Sequence, residues 1–275
     1  MTDSPRPRLS TSTWSLHRAL GLTYPDSPAQ PNTGSAQTYG SGNITLLDVP
    51  AKLAAAGIHT LEICHFHFPS RDPGYIGELR AALKAADVEV FSLLIDDGDI
   101  AHPTDSQRDL EWISGWIETA ALLGAHCTRV VAGKTSPSEE ALERSIKGLK
   151  TLVERGKANN VRVMTENWLN LLATPDYVRR VMEAVDIGLC ADFGNWRGAT
   201  KYEDLAVIMP YAESCHAKCS FSAAGEPDRD DYVRCLELSQ AAGFSGPYTL
   251  IYDSASVDEW NGLAVEASMV QPYLN

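Results

Sequence analysis

Long apolar runs are missing from this sequence. None approaches the roughly 20 residues that a membrane span needs, and the N-terminal MTDSPRPRLS has no apolar core of the kind found in signal peptides. A cytoplasmic protein with no membrane partner is expected. Paired cysteines are missing too. Cys64, Cys127, Cys190, Cys215, Cys219 and Cys235 are scattered without a Cys-x-x-Cys spacing, mostly in apolar segments, which favours reduced, packed thiols over disulfides. Positive charge is scarce: 23 Lys and Arg stand against 36 Asp and Glu, for a formal net charge of -13. With no basic run to offset this, the charge balance argues against a nucleic-acid partner. No Gly-rich phosphate loop follows the first strand, and neither a Walker-type loop nor a Gly-x-Ser-x-Gly elbow is present. Dinucleotide-dependent hydride transfer, P-loop phosphoryl transfer and serine hydrolysis all lose their usual signatures.

What is present is a repeated unit. RLSTSTWSL reads as a first strand ending near Trp14, because β-prone residues alternate there. Residues 24–43 are rich in Pro, Gly, Ser and Asn and read as a long loop, either a lid over a site or a mobile insertion. A helix, a Gly57 stop and the strand around LEIC follow. The order recurs, with helices expected near Tyr75–Ala86, Gln107–Leu123, Ser138–Lys157, Pro175–Ala184 and Tyr202–Met209, over DYVRCLELSQAAGF, and over Val257–Val270. Eight strand-helix units with no shift in composition predict an α/β protein with a single (β/α)8 TIM barrel spanning 1–275. Residues 1–8 form a tail and 24–43 a loop insertion.

In such a barrel the site is built at the C-terminal ends of the strands. Strand 5 ends in Glu166 and Asn167, strand 6 in Asp192 and Asn195, and strand 7 in His216 and Lys218. Taken singly, such residues are often loop caps or packing groups. Two carboxylates and an imidazole at successive strand ends suit a divalent metal, Mn²⁺, Mg²⁺, Zn²⁺ or Co²⁺. His65 and His67 share parity just beyond strand 2, and Asp96 and Asp97 follow strand 3. Each could bind substrate hydroxyls or simply pack and cap. Trp14, Phe66, Trp168 and Trp196 also lie near strand ends, where flat apolar faces suit sugar rings or seal a barrel mouth. Cys215 and Cys219 bracket His216, but strand alternation turns both thiols to the opposite face, so a zinc-thiolate site is not expected.

The segments TENW, GLCADFGNW, CHAKC and DYVRCLELSQAAGFSGPYTLIYD resemble the xylose isomerase-like barrels, a family of sugar phosphate isomerases and epimerases, dehydratases and apurinic-site endonucleases. The resemblance places the family's metal-binding Glu, Asp and His on Glu166, Asp192 and His216, a strand-2 acid on Glu62, and the Lys of a His-x-Lys pattern on Lys218. The epimerases' strand-8 Glu, fourth ligand and second acid/base, falls on Ile251. Asp253 has the same parity roughly 6–7 Å further along and either takes that role or caps the last helix. An imidazole found in many relatives is Asn195 here. The endonuclease pattern beyond strand 7 lacks its His at Asp228 to Asp230, which argues against a multi-metal nuclease.

The resemblance implies a metal-dependent isomerase or epimerase of a sugar, sugar phosphate or cyclitol, acting by proton abstraction next to a carbonyl. Glu166, Asp253 and Lys218 would be its catalytic groups, Glu166, Asp192 and His216 its metal ligands. Glu62, His65, His67, Asp96, Trp14, Trp168, Asn195 and Trp196 would contact a small-molecule carbohydrate. A keto-sugar dehydratase-type lyase and a non-catalytic sugar-binding barrel are the alternatives, and the outer helices leave room for a homo-oligomer.

Overall fold

The computed structural model describes residues 6–254 and 258–274. Eight parallel strands close into a barrel in sequence order, each hydrogen-bonded to the next and the last to the first. They are β1 (Arg8–Ser12), β2 (Thr60–Cys64), β3 (Glu89–Ile95), β4 (Cys127–Val130), β5 (Arg162–Glu166), β6 (Gly188–Asp192), β7 (Ala212–Ala217) and β8 (Pro247–Leu250). Helices α1 (His17–Leu20), α2 (Val49–Ala55), α3 (Pro73–Ala86), α4 (Ser106–Leu123), α5 (Glu139–Ala158), α6 (Pro175–Ala184), α7 (Lys201–Ile208), α8 (Arg229–Ala241) and α9 (Glu259–Val270) follow the strands. The α/β barrel expected from the repeat is the observed fold.

Local chemistry sets the element boundaries. The side chain of Ser138 accepts a hydrogen bond from the Ala141 amide at the start of α5, and Asp228 does the same for Asp231 in α8, satisfying donors that a helix N-terminus leaves open. Gly124 ends α4 in the left-handed region at φ 84°, a conformation that costs glycine nothing. Two expectations are corrected at the N-terminus. Arg8 belongs to β1, opposite Pro247 on β8, rather than to a tail. The strand stops at Ser12 instead of Trp14, because the Ser12 hydroxyl accepts from the Trp14 amide and turns the chain into a 3-10 turn over Thr13–Leu16. Val257, expected to begin the last helix, lies outside the described residues; Asp258 caps α9 by accepting from the Asn261 amide.

Most of the core lies between barrel and helices, where Leu61, Leu93, Leu189, Cys215, Cys219 and Leu250 pack against apolar helix faces. Cys127, Met164 and Cys190 form a separate small cluster. All six cysteines are buried and unpaired, as their scattered spacing predicts. No helix among the described residues is long and apolar enough to cross a membrane.

The loop over 24–43 is tied down by one carboxylate. Asp26 accepts from the indole nitrogens of Trp112 at 3.3 Å and Trp116 at 3.0 Å, its carbonyl faces His65 Nε2 at 3.1 Å, and the Tyr24 amide donates to the Phe66 carbonyl. Tyr39 then packs edge-on against Trp14, which joins the loop to the barrel mouth. Hydrogen bonds to a charged group contribute about 1.5–3 kcal/mol each. Asp26→Ala should therefore speed proteolytic cleavage within 24–43 by about tenfold or more while the rest of the barrel stays resistant. Cleavage no faster than in the parent would show that backbone contacts alone hold the loop.

Candidate active site

Strand register brings the three predicted ligands to one height. Asp192 on β6 pairs directly with His216 on β7, and Glu166 on β5 lies opposite Cys190, two residues before Asp192. Their side chains converge at the barrel mouth. His216 Nδ1 lies 3.6 Å from Glu166 Oε2 and 3.6 Å from Asp192 Oδ2. The other ring nitrogen, Nε2, is 2.8 Å from Glu62 Oε2. A carboxylate there accepts the Nε2 proton and keeps Nδ1 facing the two acids.

The remaining atoms of the two acids are held by their neighbours. Asp192 Oδ1 accepts from the amides of Gly194 and Asn195 at 2.6 and 2.8 Å, and Asn167 brackets the Asp192 backbone, donating to its carbonyl and accepting from its amide. Glu166 Oε1 accepts from Asn195 Nδ2 at 2.7 Å. Glu166 Oε2 is buried and accepts no hydrogen bond. Its neighbours are His216 and a group that the strand-end reading missed, Arg129 on β4, whose Nε is 3.0 Å away. The same guanidinium contacts Asp96 Oδ1 at 2.5 Å and lies over the Trp168 ring, 5.1 Å from its centroid.

The charges follow from this packing. Burial would push the Glu166 carboxyl upward, but Arg129 and His216 outweigh it and bring its pKa down to about 2. Burial also opposes a charge on His216, yet the acidic groups around the ring, Cys190, Glu166, Glu62 and Asp192, raise its pKa well above the ordinary imidazole value. Cys190, whose thiol lies within ligand distance of Glu166 and His216, is pushed up by its own burial, against the pull of His216. Sequence reasoning did not single it out, although it shares parity with Asp192.

A divalent cation fits this set. Bonds of about 2.0–2.2 Å to one ion place neighbouring donors roughly 3–3.6 Å apart, which His216 Nδ1 meets toward each carboxylate oxygen; the donors that all lie within 4.8 Å of one another are those of Glu166, Cys190 and His216, so Asp192 enters such a shell by a small shift of its carboxylate. Glu166 Oε2, ion-paired but without a hydrogen bond, is the kind of buried acceptor such an ion would satisfy. Four carboxylates share two basic groups, Asp96 and Glu166 against Arg129 and Glu62, Glu166 and Asp192 against His216, so a dication would offset an excess of negative charge. Three protein ligands leave coordination positions for substrate oxygens, as catalytic metal sites do.

A cavity of about 420 Å³ opens above these groups, a size suited to a small ligand. Its walls include Trp14, Phe66, Trp168, Asp96, Lys218 and Asp253, and Ile251 faces it from beyond β8. Lys218 Nζ and Asp253 Oδ2 form an ion pair of 2.9 Å on that side. The expected substrate contacts thus divide. Trp14, Trp168, Asp96 and Asn195 line the cavity. Glu62 does not; it is 1% exposed and holds His216 from behind. His65 lies under the 24–43 loop, receiving the Asp96 amide at Nδ1, and His67 Nδ1 contacts the Thr13 hydroxyl in the interior. Burial lowers the pKa of both. Neither lines the cavity above the ligand cluster; His65 instead borders a separate depression beside the loop, with Asp26, Asp96 and Asp97. Trp196 lines an adjoining groove.

Comparison with known proteins agrees with this architecture. No curated protein matches the sequence. Among solved structures, D-allulose 3-epimerase from Methylomonas sp. superposes with a TM-score of 0.71 at 12% identity, covering 100% of both chains. A xylose isomerase-like TIM barrel protein from Mycobacterium smegmatis in complex with magnesium gives 0.69 at 15% identity, covering 98% of each chain. D-psicose 3-epimerase with D-tagatose from Clostridium cellulolyticum H10 gives 0.67 at 13%, covering 83% of this chain and 93% of its own. At such identities the likeness is one of fold. The sequence itself matches the family described as xylose isomerase-like TIM barrel over residues 50–267, most of its length, and the chain belongs to that family.

Proposed function

We propose that the protein is a divalent-metal-dependent isomerase or epimerase that removes a proton next to the carbonyl of a sugar, sugar phosphate or cyclitol. The observation that carries this reading is the approach of Glu166 Oε2 and Asp192 Oδ2 to His216 Nδ1 at a cavity walled by Trp14, Phe66 and Trp168. When bound there, a divalent ion would supply Lewis-acid stabilisation of the enediolate that forms as the proton leaves. The chain's own residues supply the rest. Indole and phenyl faces orient the sugar and exclude water. Glu62 keeps the His216 ring in place, and Asn195 and Arg129 fix the two oxygens of Glu166.

A carboxylate held at a pKa of about 2 is a better ligand than a base, because efficient proton transfer wants a pKa nearer the working pH. Proton transfer on the far side therefore falls to Asp253 and Lys218. An aliphatic Ile251 on the cavity wall that also carries that pair and the ligand cluster favours a second reading, a lyase that removes water from a keto-sugar with one base. The same enolising step opens both routes.

Metal content and isotope exchange test the proposal. Purified protein supplied with Mn²⁺ should retain about one ion per chain, and Glu166→Gln should lose it while Asp253→Asn keeps it. Deuterium from solvent should enter a recovered ketose at the carbon next to the carbonyl, whereas a lyase would release a dehydrated product. No retained ion in the parent would sink the enolising mechanism and favour a sugar-binding barrel.

A further inference from the structure

The cavity does not end at the reacting centre. Trp168, Asn195 and Lys218 line it and also line a second depression of about 670 Å³ between the segments that follow β5 and β6. Trp196 forms part of its wall; the residue is 8% exposed, and its indole nitrogen has no hydrogen-bond partner among the described residues. Leu169 on the same wall is held at φ 61°, a left-handed conformation that is unfavourable for a side-chain-bearing residue and that gathers at ligand sites. Arg197, also on the wall, is exposed and makes no hydrogen bond or ion pair with any described residue. Tryptophan faces, an unsatisfied indole N–H and an uncommitted guanidinium complement a ring that carries hydroxyl groups.

We propose that this groove is a subsite for a second sugar ring, so that the protein acts on a glycosylated ketose or a related glycoside and not on a free monosaccharide alone. The inference rests on the sugar reading above and extends it past the reacting ring. A phosphate is the poorer occupant. Lys218 is committed to Asp253, and Asp204 shares the groove with Arg197, so the local charge is nearly balanced where a dianion would need an excess of cation.

Titration calorimetry with the Mn²⁺-supplemented full chain tests this. The probes are D-fructose, the disaccharides lactulose and sucrose, and fructose 6-phosphate. At least one disaccharide is expected to bind about tenfold or more tightly than D-fructose. Ala173→Trp, which fills the groove at an exposed position, should abolish the difference, and Arg197→Ala should reduce it severalfold. D-fructose binding should stay within about twofold in both variants, which also reports that they are folded. Disaccharides that bind no better than D-fructose would overturn the subsite and leave the sugar reading intact, as would a gain that survives Ala173→Trp. A gain confined to fructose 6-phosphate would replace the second ring with an anion. If no sugar of either size binds, the sugar reading falls and the subsite falls with it.

Discussion

Replacing Arg129 with Met is expected to cost about 3–5 kcal/mol of folding stability, the usual consequence of removing one partner of a buried ion pair. Few single substitutions in this chain should cost more. The side chain is 4% exposed and serves two carboxylates at once, Asp96 at 2.5 Å and Glu166 at 3.0 Å, with the Ile95 carbonyl at 3.4 Å as a further acceptor. Without it Asp96 loses its ion-pair partner and Glu166 keeps only His216 as one, at 3.6 Å, and the Trp168 face loses the cation stacked on it. Urea unfolding at neutral pH measures the cost. A double-mutant cycle with Asp96→Asn separates the pair from the packing, and a coupling of about 1.5 kcal/mol or more is expected from contact at this distance and burial. A loss below about 1 kcal/mol would mean that the carboxylates are neutralised in another way, by taking up protons or by an ion bound at the cluster.

Arg129 also marks where the sequence was harder to read. The barrel was legible because helix and strand signals alternate through the whole chain; α6 begins at Pro175 because proline at the first helical position is pre-set for the helix. Glu166, Asp192 and His216 were legible because each ends an apolar strand, and the register places them together. Arg129 sits inside a strand, in CTRVVAG, where one charge among apolar neighbours looks like an outward-facing residue. Its parity with Cys127, which packs with Met164 and Cys190, was the available signal. Glu62 was visible, but its role was not. Its partner His216 lies 154 residues away across the mouth, and no local pattern reports such a pairing. His65 and His67 were misplaced for a related reason. Their alternation continues a strand, whereas the chain has already turned into a 3-10 turn over His65–His67.

Ile251→Glu should convert an apolar wall into a metal-dependent element of the fold. Ile251 faces the cavity alongside His216 and Asp192 and is 5% exposed. A carboxylate introduced there would join a cluster whose basic groups are already engaged, Arg129 by Asp96 and Glu166, His216 by Glu62, and Lys218 by Asp253. In chelator the variant should therefore unfold more easily than the parent, by about 1–3 kcal/mol, the cost of leaving a buried polar group without partners. With Mn²⁺ the sign should reverse. A fourth oxygen ligand beside Glu166, Asp192 and His216 should strengthen binding by about tenfold or more. At an ion concentration of about 100 times the dissociation constant, binding adds about 2.7 kcal/mol of stability. The measurement is the melting temperature of parent and variant with and without Mn²⁺, and the expected signature is a larger metal-induced rise in the variant. Equal rises in the two proteins would place the ion away from Ile251. No rise in either would remove the ion from the site, and the charge excess around Arg129 would then have to be met by protons on His216 and its neighbours.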